Sequence, residues 1–188
     1  MAAIKKSEFK DVFIGISQVL VKKGGITDFT SVDPELELPV TVDSLTLSMG
    51  EATLNRIKVH GLQADWAVTT TPGEFEFACT VPSVDDVLMA YFFGDDKGQV
   101  TNIASSTVNG VNYKGFSMTA KNVSRDMGII LINEGEDKAV LFKKMTVTAA
   151  IAFENGSTTP IGINLTGTMV AAEGESTDDI AFLTKVSA

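Results

Sequence analysis

The sequence predicts a mainly β protein: an antiparallel β-sandwich or barrel with one flanking α-helix and one long projecting hairpin. Most apolar side chains alternate with polar ones in short runs, as expected for strands that bury one face. Glycine, proline, asparagine and aspartate separate these runs and indicate turns. Only about residues 83–93 have the spacing of a helix.

The helical stretch, residues 83–94, follows a proline that stops the preceding strand. Ser83 is placed to cap the first turn, Asp85 and Asp86 complement the helix dipole, and Gly94 can end the helix in a left-handed conformation. Its apolar residues share one face: Val84, Val87, Leu88, Tyr91 and Phe92. Because a helix this short is marginal alone, we expect that face to pack on a sheet built from both halves of the chain. A packing role is favoured over a catalytic one.

The N-terminal part of the chain predicts an arm, a strand and a loop. Residues 1–11 are a polar arm that contains three lysines. Residues 12–21 are β-branched and apolar, and the strand they predict ends at Gly24 and Gly25. Residues 26–37 have no hydrophobic period and predict a loop.

Residues 39–60 predict a long bent hairpin. The apolar residues of positions 36–42 keep one parity and those of positions 45–49 keep the other, so the strand needs a bulge or bend near Asp43. Gly50 and the residue after it predict the turn, after which the chain returns. Long bent hairpins of this kind usually project beyond a compact sandwich.

The rest of the chain predicts further strands, at residues 62–68, 74–81, 111–120, 128–133, 139–153, 161–172 and 180–186. Residues 69–73 and 134–138 predict turns, and the polar residues 95–109 predict a loop or an edge. Cys79 alternates with phenylalanines and is interpreted as a small core residue. No repeat and no interdomain linker is recognisable, so residues 1–188 are predicted to form a single domain.

The composition excludes several functional classes. The net charge of -9 disfavours a surface that grips nucleic acid or an anionic membrane. No apolar run approaches the roughly 20 residues of a membrane span. With one cysteine, no internal disulfide is possible. The start of the chain does not resemble a signal peptide, which predicts synthesis in a cytoplasm.

No constellation of catalytic, cofactor-binding or metal-binding residues is recognisable. His60 is the only histidine, and neither a nucleophile motif nor a phosphate-binding glycine motif is present. The paired acids Asp85 and Asp86 suit helix capping better than general acid and base catalysis. We therefore expect neither enzymatic activity nor a cofactor.

The charges are unevenly distributed along the chain. Basic residues dominate the first 25 positions: Lys5, Lys6, Lys10, Lys22 and Lys23 against Glu8 and Asp11. Positions 28–51 carry acids and no base: Asp28, Asp33, Glu35, Glu37, Asp43 and Glu51. This layout suits head-to-tail contacts between copies of the chain. The alternative, that the charges are dispersed only for solubility, stays open.

Three stretches together resemble the major tail tube proteins of long-tailed bacteriophages. They are the hairpin at residues 39–60 with its sequence Leu-Pro-Val-Thr-Val-Asp-Ser-Leu, the strand-proline-helix unit at 75–94, and the strand at 139–145 with the β run after it. The resemblance implies a β-sandwich flanked by a helix, closed into hexameric rings that stack head-to-tail into a hollow tube. It also implies a place in the virion tail, contacts with other tail proteins, and genome DNA that passes through without specific binding.

On this interpretation, residues 40–59 line or build the tube wall, and the arm at 1–11 and the loop at 26–37 make contacts between rings. The expected assembly interface comprises Lys5, Lys6, Lys10, Asp33, Glu35, Glu37, Leu45, Leu47, Ile57 and Val59. Two alternatives from other classes remain: a tube-forming component of a bacterial contractile secretion system, and a monomeric carbohydrate- or surface-binding β-sandwich.

Removal of residues 1–11 is expected to leave soluble monomers or rings but to prevent the formation of long tubes, because the arm would no longer join one ring to the next. Negative-stain electron microscopy of the purified chain measures this. Tubes of normal length from the truncated chain would refute the role of the arm.

Overall fold

The computed structural model describes residues 13, 15–41, 43–61, 63–65, 67–94, 100–119, 122–153, 161–170 and 178–186. This part of the chain is mainly β with antiparallel pairing throughout, which confirms the predicted fold class. The strands are β1 (Gln18–Lys23), β2 (Leu36–Leu38), β3 (Thr46–Met49), β4 (Thr53–Ile57), β5 (Ala67–Thr71), β6 (Phe75–Val81), β7 (Val100–Val108), β8 (Val111–Met118), β9 (Val123–Ile132), β10 (Lys138–Ala152), β11 (Gly162–Met169) and β12 (Ile180–Thr184). The helix α1 spans Asp86–Phe92.

One sheet contains eight of these strands. Its order is β2-β1-β9-β10-β11-β6-β3, and β12 pairs with the first part of β10, beyond the end of β11. The central strand β10 is 15 residues long, so β11 and β12 can follow each other along its edge. Strands β4 and β5 form a separate pair, and so do β7 and β8.

The two ends of the large sheet belong to one bent segment, residues 36–49, which closes the sheet into a barrel. Leu38 pairs with Val19 of β1, and three residues later the Thr41 amide donates to the Thr80 carbonyl of β6 at 2.9 Å. Three residues span at most about 11 Å. In a flat sheet β2 and β6 would lie about 24 Å apart, at ~4.8 Å per strand. The sheet must therefore curl around until its edges meet.

The predicted bend in this segment is confirmed at Asp43, which has a positive φ of 64°. The Ser44 hydroxyl, next in the chain, donates to the Thr41 carbonyl at 2.7 Å and accepts from the Thr80 amide at 3.1 Å. The Ser44 hydroxyl thus gives the Thr41 carbonyl and the Thr80 amide a hydrogen-bond partner where the regular strand pairing is interrupted.

The core fills the interior of the barrel. Inward side chains of every barrel strand contribute, and the rings of Phe75 and Phe142 approach to 5.1 Å between centroids. Cys79 is buried in this core, as predicted. A bulge after Phe142 changes the parity of β10, so that Lys143 and Lys144 both lie on the outer face.

A smaller apolar cluster covers part of the outer face. Ile26 and Phe29, from the segment after β1, pack on Ile130 and Leu141. The segment leaves β1 through Gly24 and Gly25, both with positive φ, which confirms the predicted end of the strand. Strand β1 begins only at Gln18, which lies opposite Ile132. Ile132 is the last residue of β9, so β9 offers no pairing position to the residues before Gln18.

The helix is shorter than the predicted 83–93, and four of the five side chains predicted to face inward do contact the core: Val84, Leu88, Tyr91 and Phe92. Asp85, not Ser83, is the N-cap, since its carboxylate accepts from the Leu88 amide at 2.9 Å. The buried side chains are those of Leu88, Met89 and Phe92, whereas Val87 is 62% exposed.

The end of the helix also differs from the prediction. Phe93 is the C-cap, and Gly94 is not in the left-handed region. A Cβ on Gly94 would lie 2.3 Å from the Ala90 carbonyl oxygen, so glycine is needed for close approach and not for φ. The Arg125 guanidinium donates to the Phe92 carbonyl at 3.0 Å and caps this end of the helix.

The hairpin predicted at residues 39–60 does not form with those bounds. Strand β3 pairs with β6, β4 pairs with β5, and the same register continues through both pairs: Met49 lies opposite Phe75, and Thr53 opposite Thr71. The chain does not turn at Gly50 but runs on to Ile57. The turn lies between Ile57 and Ala67, and the predicted turn at residues 69–73 is largely strand.

Replacing Asp85 by alanine is expected to lower the free energy of unfolding by about 1 kcal/mol, because the Leu88 amide loses its acceptor. Asp85→Asn keeps an acceptor oxygen and should cost much less. Urea denaturation followed by circular dichroism measures both. Equal losses in the two variants would contradict the capping role.

Candidate assembly surfaces

The most prominent surface feature is the projecting hairpin, residues 50–74, which contains β4 and β5. All residues from 50 to 61 are exposed. At ~3.3 Å per residue, the eight residues from Gly50 to Ile57 extend about 26 Å along the strand. The hairpin is therefore about twice as long as β3 and slightly longer than β6, the two barrel strands from which it continues.

Two glycines mark the place where the hairpin leaves the barrel. The Gly50 amide donates to the Glu74 carbonyl at 2.8 Å. A Cβ on Gly73 would lie 1.8 Å from the Gly50 carbonyl oxygen. The two backbones cross so closely that no side chain fits between them.

The stem of the projecting hairpin exposes apolar side chains on both faces. Leu54 and Val68 share one face and are each 52% exposed, and Ile57 on the other face is 48% exposed. Arg56 forms an ion pair with Asp65 at 3.4 Å near the tip. Neighbouring exposed aliphatic side chains, such as Leu54 and Val68 on one face of this stem, are a marker of an interaction surface.

The backbone edges of this stem are also open. Strand β4 pairs only with β5 among the described residues, so the outer edge of each strand has no ladder partner there. An isolated two-stranded hairpin is marginally stable in water. Open edges of this kind readily pair with strands of another chain.

Strands β7 and β8 form a second hairpin. Its base packs on the core through Val100, Phe116 and Met118. Its tip turns at Asn109 and Gly110, whose φ values of 52° and 79° fit a two-residue hairpin turn. Three side chains near the tip share an exposed face: Val108, Val111 and Tyr113.

Hydroxyl groups cover an outer face of the barrel, which we call the hydroxyl face. One row runs across five strands through Asp126, Thr146, Thr168, Glu76 and Ser48. The parallel row consists of Ser124, Thr148, Thr166, Ala78 and Thr46. Many of these residues line a shallow groove of about 390 Å³.

One carboxylate of the hydroxyl face, that of Asp126, is held in place by two neighbouring side chains. The Thr146 hydroxyl donates to Asp126 at 2.7 Å, and Lys144 lies 3.2 Å from the same carboxylate. The hydroxyl donor and then the lysine lower the pKa of Asp126 below its usual range. This aspartate therefore stays charged at neutral pH.

The fourth surface, which we call the acidic edge, is formed by Asp33, which precedes β2, and Glu37, which lies within β2. Both side chains are exposed, and β2 pairs only with β1 among the described strands. Glu35, between them, is bound within the chain: it accepts from the Tyr91 hydroxyl at 3.1 Å and from the Lys23 amide at 3.2 Å. The Lys23 ammonium in turn lies 4.3 Å from the centre of the Tyr91 ring.

The residues expected at an assembly interface are not brought to one place. Lys5, Lys6 and Lys10 lie outside the described residues, as does the rest of the arm. Asp33, Glu37, Ile57 and Val59 are exposed, whereas Glu35 is engaged by Tyr91 and Lys23. Leu45 and Leu47 pack against the barrel core, because the bent segment turns them inward.

Two reactive side chains of the described residues, the Cys79 thiol and the His60 imidazole, lie in different surroundings. Burial raises the pKa of the Cys79 thiol to about 12, which keeps it protonated. His60 is exposed at the tip of the projecting hairpin. The described side chains contain no group of three potential metal ligands, and no described helix is long and apolar enough to cross a membrane.

The comparison with known proteins gives no match: neither a protein-family model nor a curated protein matches this sequence. Function is therefore inferred from the surfaces of the chain itself. The resemblance to tail tube proteins stays a prediction.

Gly73→Ala is expected to lower the free energy of unfolding by about 2 kcal/mol, because the new methyl group would overlap the Gly50 carbonyl. Gly115→Ala, in β8, is the matched control, since its Cβ would meet nothing within 4 Å. Thermal denaturation compares the two variants. A Gly73 variant as stable as the Gly115 variant would contradict the close backbone crossing.

Proposed function

We propose that this protein is a structural subunit that assembles into stacked rings and forms a hollow tube, as in the tail of a long-tailed bacteriophage. The projecting hairpin carries this proposal. It combines open backbone edges, apolar side chains on both faces, and a length that reaches well beyond its own barrel. Each property favours pairing with a neighbouring copy.

Pairing between copies would complete what one chain leaves open. A strand from a neighbour would supply ladder hydrogen bonds to the free edge of β4 or β5. Burial of Leu54, Ile57 and Val68 at the contact would add about 0.8–1.5 kcal/mol for each side chain that becomes fully buried, because about half of each is already covered. A closed ring, proposed here to contain six copies, leaves no hairpin at an open end.

The hydroxyl face supports a role as a wall past which DNA moves. Its side chains are neutral hydroxyls with two carboxylates, Asp126 and Glu76, and its lysine is paired with Asp126. A duplex would find no row of free cations on this described face to hold its phosphates. The net charge of -9 acts in the same direction.

Deleting the stem tests the proposal. Residues 51–73 can be replaced by Asn-Gly, because Gly50 and Glu74 already lie opposite each other at the exit from the barrel. The shortened chain is expected to fold, since the core lies within the barrel and not in the hairpin. It should remain monomeric at concentrations at which the full chain forms rings or tubes.

Sedimentation velocity and negative-stain electron microscopy measure the assembly state, and circular dichroism checks the barrel. Thr70→Ser, on the same face as Leu54, is the control and should assemble like the unaltered chain. Normal rings or tubes from the shortened chain would overturn the proposal.

A further inference from the structure

The tip of the projecting hairpin is basic, although the chain as a whole is acidic. Between residues 54 and 64 the charged side chains are Arg56 and Lys58, with His60 beside them. Asp65 follows and pairs with Arg56. Lys58 is exposed and has no ion pair with another described residue. This basic tip is held away from the barrel at the end of an exposed stem.

The acidic edge has the opposite character. Asp33 and Glu37 are exposed and make no ion pair with another described residue, while Glu35 between them is occupied by Tyr91 and Lys23. The backbone of β2 beside them is open on one side within the described part of the chain. The edge therefore offers both negative charge and unpaired backbone groups to an incoming strand.

We infer that the basic tip of one copy docks on the acidic edge of a second copy. This inference rests on the proposed function and names the partner of the hairpin. Lys58 would face Asp33 and Glu37, and the open edge of the incoming strand would meet β2. Charge complementarity selects this surface over the uncharged tip of β7–β8, where a lysine would gain no partner.

A charge exchange tests the contact. Lys58→Glu is chosen because it leaves the ion pair between Arg56 and Asp65 intact. It should raise the concentration needed for assembly by about fivefold at low salt, since a reversed charge turns attraction into repulsion. Glu37→Lys should have a similar effect. The double variant, with both charges reversed, should recover most of the loss.

The control is Lys185→Glu, which makes the same change in net charge at an exposed lysine elsewhere. Light scattering and sedimentation velocity give the assembly threshold of each chain at low and at high salt. The effect of Lys58→Glu should shrink at high salt, because exposed charges are screened. A Lys58 variant that behaves like the control, or a double variant without recovery, would overturn the inference.

Two more results would each overturn the docking of the basic tip on the acidic edge. If the stem deletion abolishes assembly while Lys58→Glu does not alter it, the hairpin keeps its proposed role and the acidic edge is not its partner. If a short DNA duplex binds the unaltered chain and Lys58→Glu abolishes that binding, the tip recognises phosphate and the inference fails.

Discussion

The pairing of backbone groups at the edges of the large sheet is the constraint on which the structure depends. A curled sheet must satisfy both of its outer strands, and here one segment, residues 36–49, serves both. Its first part pairs with β1 and its second part with β6. The positive φ of Asp43 and the hydroxyl of Ser44 make the bend between them possible. The barrel closes because one strand changes partner.

This closure also explains why the hairpin is exposed. Beyond Met49 the strand keeps its register with the chain that returns to β6, but the barrel has ended there. The stem therefore continues as two strands with no third strand beside them among the described residues. Gly50 and Gly73 allow it to leave at a tight crossing. The pairing that closes the barrel thus leaves the outer edges of β4 and β5 without partners among the described residues. In the proposed assembly, a neighbouring copy is the simplest source of those partners.

The sequence was informative where a pattern had one physical cause. The change of parity near Asp43 required a bend, and the alternation around Cys79 required burial on one side. Prediction failed where one residue type serves two purposes. Gly50 was assigned to a turn, but the strand runs on through it, and the close approach there excludes a side chain at Gly73. The start of the helix was misplaced because Ser83 and Asp85 are both good caps, and only the folded structure chooses between them. No side chain of the polar strand β7 is fully buried, so the strand shows no clear alternation of apolar and polar residues. The strongest sign of this strand in the sequence is the Asn109-Gly110 turn that follows it.

In the proposed tube, contacts between copies have to be strong within the assembly and weak between free chains. A single exposed ion pair contributes at most about 1 kcal/mol, and the net charge of -9 makes free copies repel one another. Within a ring, however, each copy meets two neighbours, so that several weak contacts act at once and every later contact is effectively intramolecular. Apolar stems such as that of Leu54 and Val68 then supply attraction that salt does not screen. On this proposal, a barrel that folds without a partner, with a hairpin whose outer edges are open among the described residues, stays a monomer when dilute and becomes stable in a closed assembly.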